Sequence, residues 1–287
     1  MNDLAPICLF VYNRPIETMK TLESLAANYL ASESDLIIFS DGPKSERDKI
    51  QVEEVRSVIK NVGGYKSATI HQSDVNKGLA KSVIRGVSSV FKDFEKVIVL
   101  EDDLLTSKNF LDFMNQALDF YLDSEDIFSI SGYTMDLPSL KNHPKDYYLG
   151  YRASSWGWGT WKEEWVNVDW EINDYQKSKW NIYEQIKFMR GGSDLPRMLW
   201  KQMNGKIDSW AVRWCYDQFI KDKYTVFPST SKVVNIGFGE EATHSNTKNI
   251  NRFDTQIDSG IQRDFKFESE PKIDQALAKE FRNNFSI

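Results

Sequence analysis

Val97-Ile98-Val99-Leu100-Glu101-Asp102-Asp103-Leu104 runs four apolar residues, three of them β-branched, straight into three carboxylates. A short continuous apolar run of this kind reads as a strand buried on both faces of a parallel sheet. Three consecutive acids cannot carry that strand deeper, because unpaired buried charge is too costly, so the chain must surface at Glu101. In an open α/β sheet the carboxyl end of a strand is where ligands bind. Acids crowded there repel one another unless a cation joins them. A hard divalent cation carrying a phosphate is a natural relief. The competing reading is a solvated acidic turn that opens the next helix, where Asp and Glu favour the helix dipole.

Upstream, strand and helix alternate. Pro6-Ile7-Cys8-Leu9-Phe10-Val11-Tyr12 reads as a buried strand closed by Asn13-Arg14-Pro15, with Pro15 in the first turn of a helix that carries Ile16, Met19, Leu22 and Leu25. Asp35-Leu36-Ile37-Ile38-Phe39-Ser40 is a second strand, ending on Asp41-Gly42-Pro43. The helix after it places Val52, Val55, Val58, Ile59 and Val62 on one face. Ala68 to Gln72 forms a weaker third strand, followed by Asn76-Lys77-Gly78 and a helix burying Leu79, Val83, Val87, Val90 and Phe91. Beyond the acids, Phe110, Phe113, Met114, Ala117, Leu118 and Tyr121 mark another helix, and Ile127 to Ser131 a fifth strand. This alternation specifies a doubly wound, mostly parallel sheet. Right-handed crossovers then bring Asn13-Arg14, Asp41, Asn76-Lys77 and Glu101-Asp102-Asp103 to one edge. Arg14 and Lys77 there suit phosphates, although a solvated surface charge is the commoner fate of one such residue. Asp41 reads either as a turn or cap residue or as a carboxylate accepting the imide N–H of a uracil or thymine. His71 reads as a structural or surface residue. No Gly-x-Gly-x-x-Gly follows the first strand and no Walker A loop is present, which argues against dinucleotide and P-loop enzymes.

The 287 residues suffice for one large α/β domain with an appendage, and the formal charge of −6 does not favour a nucleic-acid partner. Strong adhesion to anionic lipid is not favoured either, since that needs a cluster of Lys and Arg. Cys8 and Cys215 are far apart, a reduced pattern without zinc spacing. The first strand starts by about Pro6, leaving no room for a signal peptide, and no run approaches ~18 apolar residues. A cytoplasmic protein is expected, at most peripheral on the inner membrane face. All nine tryptophans fall between Trp156 and Trp214. Three parts are therefore expected: 1–132, an α/β half; 133–245, a differently packed tryptophan-rich half of the same domain; and 246–287, a tail packing on it, with an amphipathic helix over Ile273 to Asn283.

The Glu101-Asp102-Asp103 strand end, followed by Asn109-Phe110-Leu111-Asp112-Phe113, resembles the GT-A fold glycosyltransferases that use nucleotide-sugars, in particular the N-acetylglucosaminyltransferase I group and related bacterial sugar transferases. Tyr12-Asn13-Arg14 resembles that family's first loop, whose Arg contacts the donor, and Phe39-Ser40-Asp41-Gly42 the loop whose Asp contacts uracil. Gly157-Trp158-Gly159-Thr160-Trp161 resembles a Gly-aromatic segment ahead of the catalytic region. Ile207-Asp208-Ser209-Trp210 resembles a Trp-Asp-Asp-Trp stretch bearing the catalytic base, with Ser209 departing from the second Asp. Asn235-Ile236-Gly237-Phe238-Gly239, then Thr243-His244, resembles a loop that orders over bound donor. Ser82 stands where a nucleotide-contacting His is expected.

The resemblance implies metal-dependent inverting transfer from a nucleotide-sugar, a UDP-sugar by the Asp41 reading, to a glycan hydroxyl, lipid-linked or free, as in bacterial surface polysaccharide synthesis. It implies Mn²⁺ or Mg²⁺ on Asp103, Asp102 toward the ribose or metal waters, Glu101 toward sugar or acceptor, and Asp208 as base. The rival base is Asp217, and Asp208 reads equally as a helix N-cap. Trp156 and Trp158, interleaved with glycines, are candidate acceptor contacts against a core role, and Phe238 and His244 belong to the expected lid. Two other functions stand beside this one. A sugar-phosphate nucleotidyltransferase would be expected to carry a Gly-rich first loop, which residues 10–15 lack. A non-catalytic carbohydrate binder would fit the tryptophans but would not need the three acids.

Overall fold

The computed structural model describes residues 3–237 and 252–285. In chain order its elements are β1 (Ile7–Val11), α1 (Pro15–Ala26), β2 (Asp35–Ser40), α2 (Glu46–Lys60), β3 (Ser67–Gln72), α3 (Leu79–Val90), β4 (Lys96–Glu101), β5 (Leu104–Thr106), α4 (Phe110–Phe120) and β6 (Ile127–Ser131). There follow β7 (Tyr147–Gly150), β8 (Trp158–Trp161), α5 (Lys162–Val166), α6 (Tyr175–Ser178), α7 (Ile182–Phe188), α8 (Leu195–Met203), α9 (Trp210–Ile220), β9 (Tyr224–Pro228), β10 (Val233–Asn235) and α10 (Gln275–Asn283).

Eight strands form one sheet in the order β3-β2-β1-β4-β8-β6-β9-β7. Only β8 and β7 run against the rest, so the expected mostly parallel α/β sheet with flanking helices is what the chain forms. Side chains alternate along β1 and β4 with period two. Ile7, Leu9, Ile98 and Leu100 face a core shared with α1, α2, α4 and α10. Cys8, Phe10, Val97 and Val99 face the opposite core, shared with α3, α8 and α9. The tail lies on the first face through Phe265, Leu277 and Phe281, and its helix covers most of the expected span.

Several local readings change, and Leu79, expected inside, is 51 % exposed. Ile16 and Met19 are exposed, and α1 instead buries Thr18, Thr21, Leu22 and Leu25. Its inward polar residues have partners: Thr21 Oγ1 donates to the Asp102 carbonyl at 2.9 Å. The tryptophan half supplies β8, which inserts antiparallel between β4 and β6. Trp158 is 1 % exposed and packs on Trp165, Trp210 and Trp214 at centroid distances of 5.4, 5.1 and 5.7 Å. It has no face left for an acceptor, so the core role wins. The neighbouring Gly157 has φ +58°, and a Cβ there would stand 2.7 Å from Val233 Cγ2. Close packing and a left-handed backbone explain that glycine.

Candidate active site

The carboxyl ends of β1 to β4 and the loops beyond them enclose a cavity of about 640 Å³. Strand register builds its floor. Phe10 lies opposite Phe39 and Glu101, and Phe39 opposite His71. One row therefore crosses four strands as His71, Phe39, Phe10 and Glu101, all lining the cavity. The three rings stack, with centroids 4.9 Å apart for Phe10 and Phe39 and 5.1 Å for Phe39 and His71. His71 ends the stack and is exposed. Its place in the row depends on register, which one strand's sequence does not reveal.

The acids occupy a two-residue turn between β4 and β5, and α4 begins only at Phe110. They are therefore not the opening of a helix, and no helix dipole relieves them. Asp102 and Asp103 are each 8 % exposed. Asp102 Oδ2 accepts the Tyr12 backbone N–H at 3.0 Å. Asp103 Oδ2 accepts from Arg14 Nη1 at 2.5 Å, while Asp103 Oδ1 is buried with no hydrogen-bond partner among the described residues. Burial, then the charges of Asp103 and Asp102, push the Glu101 carboxyl up to about 8. Burial and Asp103 push Asp102 up to about 7, against the opposing Tyr12 N–H and Arg14. The turn is thus short of positive charge, as its sequence suggests.

β10 pairs with β5 and clasps this turn from outside, with the Ile236 N–H donating to the Asp103 carbonyl at 2.8 Å. Gly237 follows, and a Cβ there would lie 2.3 Å from Asp103 Oδ2 and 2.7 Å from Arg14 Nη1. The start of the expected lid therefore touches the Arg14–Asp103 pair. Phe238 and His244, its other candidates, lie outside the described residues.

Arg14, Lys77, Glu101, Asp41 and Asp102 line the cavity, whereas Asp103, the expected metal ligand, does not line it but pairs with Arg14, which does. Asp41 accepts several backbone N–H groups. Its Oδ1 accepts the N–H groups of Gly42 and Lys77 at 2.9 Å, and its Oδ2 those of Lys77 and Gly78 at 3.0 Å. It staples the β3–α3 loop, so the turn role is present, and three N–H groups take up most of the roughly four hydrogen bonds its carboxylate can accept. Lys44 and Arg85 also line the cavity and were missed. With Lys77 they have no ion pair among the described residues. Lys44 directly follows the Asp41-Gly42-Pro43 loop, whereas Arg85 lies within α3, seven residues past Gly78, where no loop signal marks it.

Asp208 does not join them. It is exposed, does not line the cavity, and sits 3.4 Å from Arg213 Nη2. The cap of α9 is Ser209, which accepts from the Val212 N–H at 3.3 Å. Asp217 is buried, pairs with Lys221 at 2.8 Å and does not line the cavity either. Trp156 lies on the opposite face against Tyr133 and Phe253, at 4.6 and 5.5 Å.

Among the described residues no three His, Cys, Asp or Glu side chains converge as a ready-made metal cage. The orphaned Asp103 Oδ1 beside two carboxyls of raised pKa nevertheless fits a divalent cation held by one or two protein oxygens, with phosphate and water completing its shell.

No family profile matches the sequence, and no curated protein matches it. Among solved structures, it is similar to a mannosyltransferase from Pyrobaculum calidifontis in complex with GDP-Man and Mn²⁺, at 10 % identity and TM-score 0.40, covering 76 % of this chain and 72 % of that one. It is similar to the galactosyltransferase LgtC with donor and acceptor sugar analogues, at 10 % identity and TM-score 0.39, over 98 % and 96 % of the two chains. A UDP-glucose pyrophosphorylase with UDP-glucose stands at 10 % identity and TM-score 0.36, over 78 % and 90 %. At such distances residue roles do not transfer between chains.

Proposed function

We propose that this protein is a metal-dependent glycosyltransferase that takes a sugar from a nucleoside diphosphate sugar and passes it to a glycan hydroxyl with inversion. One observation carries the reading: a single cavity joins an aromatic floor, three cations without an ion pair among the described residues, and Glu101 and Asp102 of the crowded acidic turn. A base can lie on the exposed His71 end of the stack, phosphates beside Lys77, Arg85 and Lys44, and the reacting sugar toward Glu101. Asp103, assisted by Asp102, would hold Mn²⁺ or Mg²⁺, which when bound supplies charge neutralisation to the departing diphosphate. The acceptor hydroxyl oxygen bonds to the anomeric carbon, the bond from that carbon to the phosphate oxygen breaks, and the hydroxyl proton must leave. Glu101 lines the cavity with its carboxyl pushed up to about 8 by burial and the neighbouring acids, whereas Asp208 stands outside the cavity. The proton is therefore assigned to Glu101.

Calorimetry with UDP and GDP, each with and without Mn²⁺, tests the donor crevice. Metal-dependent binding of at least one is expected, weakened about 100-fold or more in Asp103→Ala, a loss of ~2.7 kcal/mol. No binding of either nucleotide sinks the reading. With a donor in hand, Glu101→Gln should slow turnover by about 10²-fold or more and Asp208→Asn by less than about threefold, and the reverse ranking moves the base to Asp208.

A further inference from the structure

The helices α6 to α8 form a surface unlike the rest of the molecule. Between residues 175 and 206 the chain carries seven Lys or Arg and two acids, within a protein of net charge −6. Lys177 and Arg190 pair with Asp174 and Asp222. Lys179, Lys187, Arg197, Lys201 and Lys206 have no ion pair among the described residues. Between these cations stand Trp180, which is 80 % exposed, and the exposed Ile182, Tyr183 and Ile186, with Trp200 half-exposed nearby. The cations and rings alternate in space as well. Lys179 Nζ lies 5.5 Å from the Trp180 ring, Lys187 Nζ 4.5 Å from Tyr183 and Lys206 Nζ 4.2 Å from Trp200. The linear order of the sequence shows no run of basic residues, which is why no Lys/Arg cluster is legible there.

We infer that this face docks on an anionic lipid surface. Aromatic rings with lysines alongside suit the headgroup level, where ring bodies are buried and ammonium groups meet phosphate. Basic residues near such a surface add to its apolar contacts, and Lys179, Lys187 and Lys206 lie directly against the exposed rings. A soluble saccharide is the rival occupant, because a groove of about 600 Å³ lined by Tyr175, Trp200 and Tyr216 adjoins the patch. The exposed Ile182 and Ile186 decide against it. Branched aliphatic side chains offer a sugar neither a flat face nor a hydrogen bond, yet they enter acyl chains readily. This inference does not depend on the proposed chemistry.

The test is sedimentation of the full chain with phosphatidylcholine vesicles and with vesicles containing about one-third phosphatidylglycerol. Binding to the anionic vesicles about tenfold or more tighter than to the neutral ones, and lost in high salt, is expected. Ile182→Ser/Ile186→Ser and Lys179→Glu/Lys187→Glu should each lose most of it, while circular dichroism and nucleotide binding stay as in the wild type. No binding of wild type to anionic vesicles overturns the inference, as does unchanged binding of both variants. If both variants instead turn a dimer into monomers and vesicles capture neither form, the face joins copies of this chain and the inference falls. Loss of vesicle binding to a soluble oligosaccharide that the wild type binds at Trp180 has the same consequence.

Discussion

The 101–103 turn and the tryptophan cluster each concentrate one kind of side chain, and each leaves a buried polar atom without a partner among the described residues: Asp103 Oδ1 in one, Trp214 Nε1 in the other. The resemblance ends there. Trp214 is neutral, and an unpaired N–H costs about 1–3 kcal/mol, which ring packing on Phe128, Trp158 and Trp165 can offset inside the fold. The carboxylates have no such internal remedy, since Arg14 is the one cation the turn is paired with among the described residues. Crowding of a residue type points to a ligand only when the crowd cannot satisfy itself.

The contrast can be broken most forcefully in the cluster. Trp214→Ala should destabilise the protein by ~3–5 kcal/mol, read as a fall in Tm or in urea midpoint, while Trp214→Phe, which removes the orphan N–H, should cost less than ~1.5 kcal/mol. Nucleotide affinity of the folded Trp214→Phe protein should not change. The cavity should behave in the opposite way. Arg85→Ala is expected to weaken nucleotide binding about tenfold, or ~1.4 kcal/mol, with Tm unmoved, and equal affinity would remove Arg85 from the phosphate path. The most diagnostic effect is on pH. Glu101 and Asp102 titrate at about 8 and about 7 in the folded protein, above the ~4 of an unfolded carboxyl. The folded state therefore holds extra protons between those values, and stability of the free protein should fall as pH rises from about 4 to about 8. Thermal melts should show that slope flattened in Glu101→Gln. Mn²⁺ with nucleotide should raise Tm more at pH 8 than at pH 5.5, because a cation needs the carboxylates ionised.

Much of the first half was legible because apolar period and loop chemistry agree. The strands ending at Val11, Ser40, Gln72 and Glu101 and the cavity-lining loops after them follow from hydrophobic runs and right-handed crossovers. What escaped was set by contacts between distant segments. Asp41 could be read as a base contact or a turn residue, and nothing in Ser40-Asp41-Gly42 reveals that the Lys77 and Gly78 N–H groups reach its oxygens. Trp158 could be read as a sugar platform because its burial depends on Trp210 and Trp214, half a hundred residues on. Asp208 is polar and helix-initial, which suits a base as well as solvent, and only three dimensions separate them.

The place of β8 has a bearing on how the chain is made. Emerging from the ribosome, β4 gains one neighbour from β1 but keeps an open edge until residues 158–161 arrive to pair with it. An unpaired strand edge is an invitation to other chains. The acidic turn is written at the end of that very strand, so its mutual repulsion discourages edge-to-edge contact between nascent copies during the delay. The same three charges that await a cation in the finished protein would then guard the unfinished one.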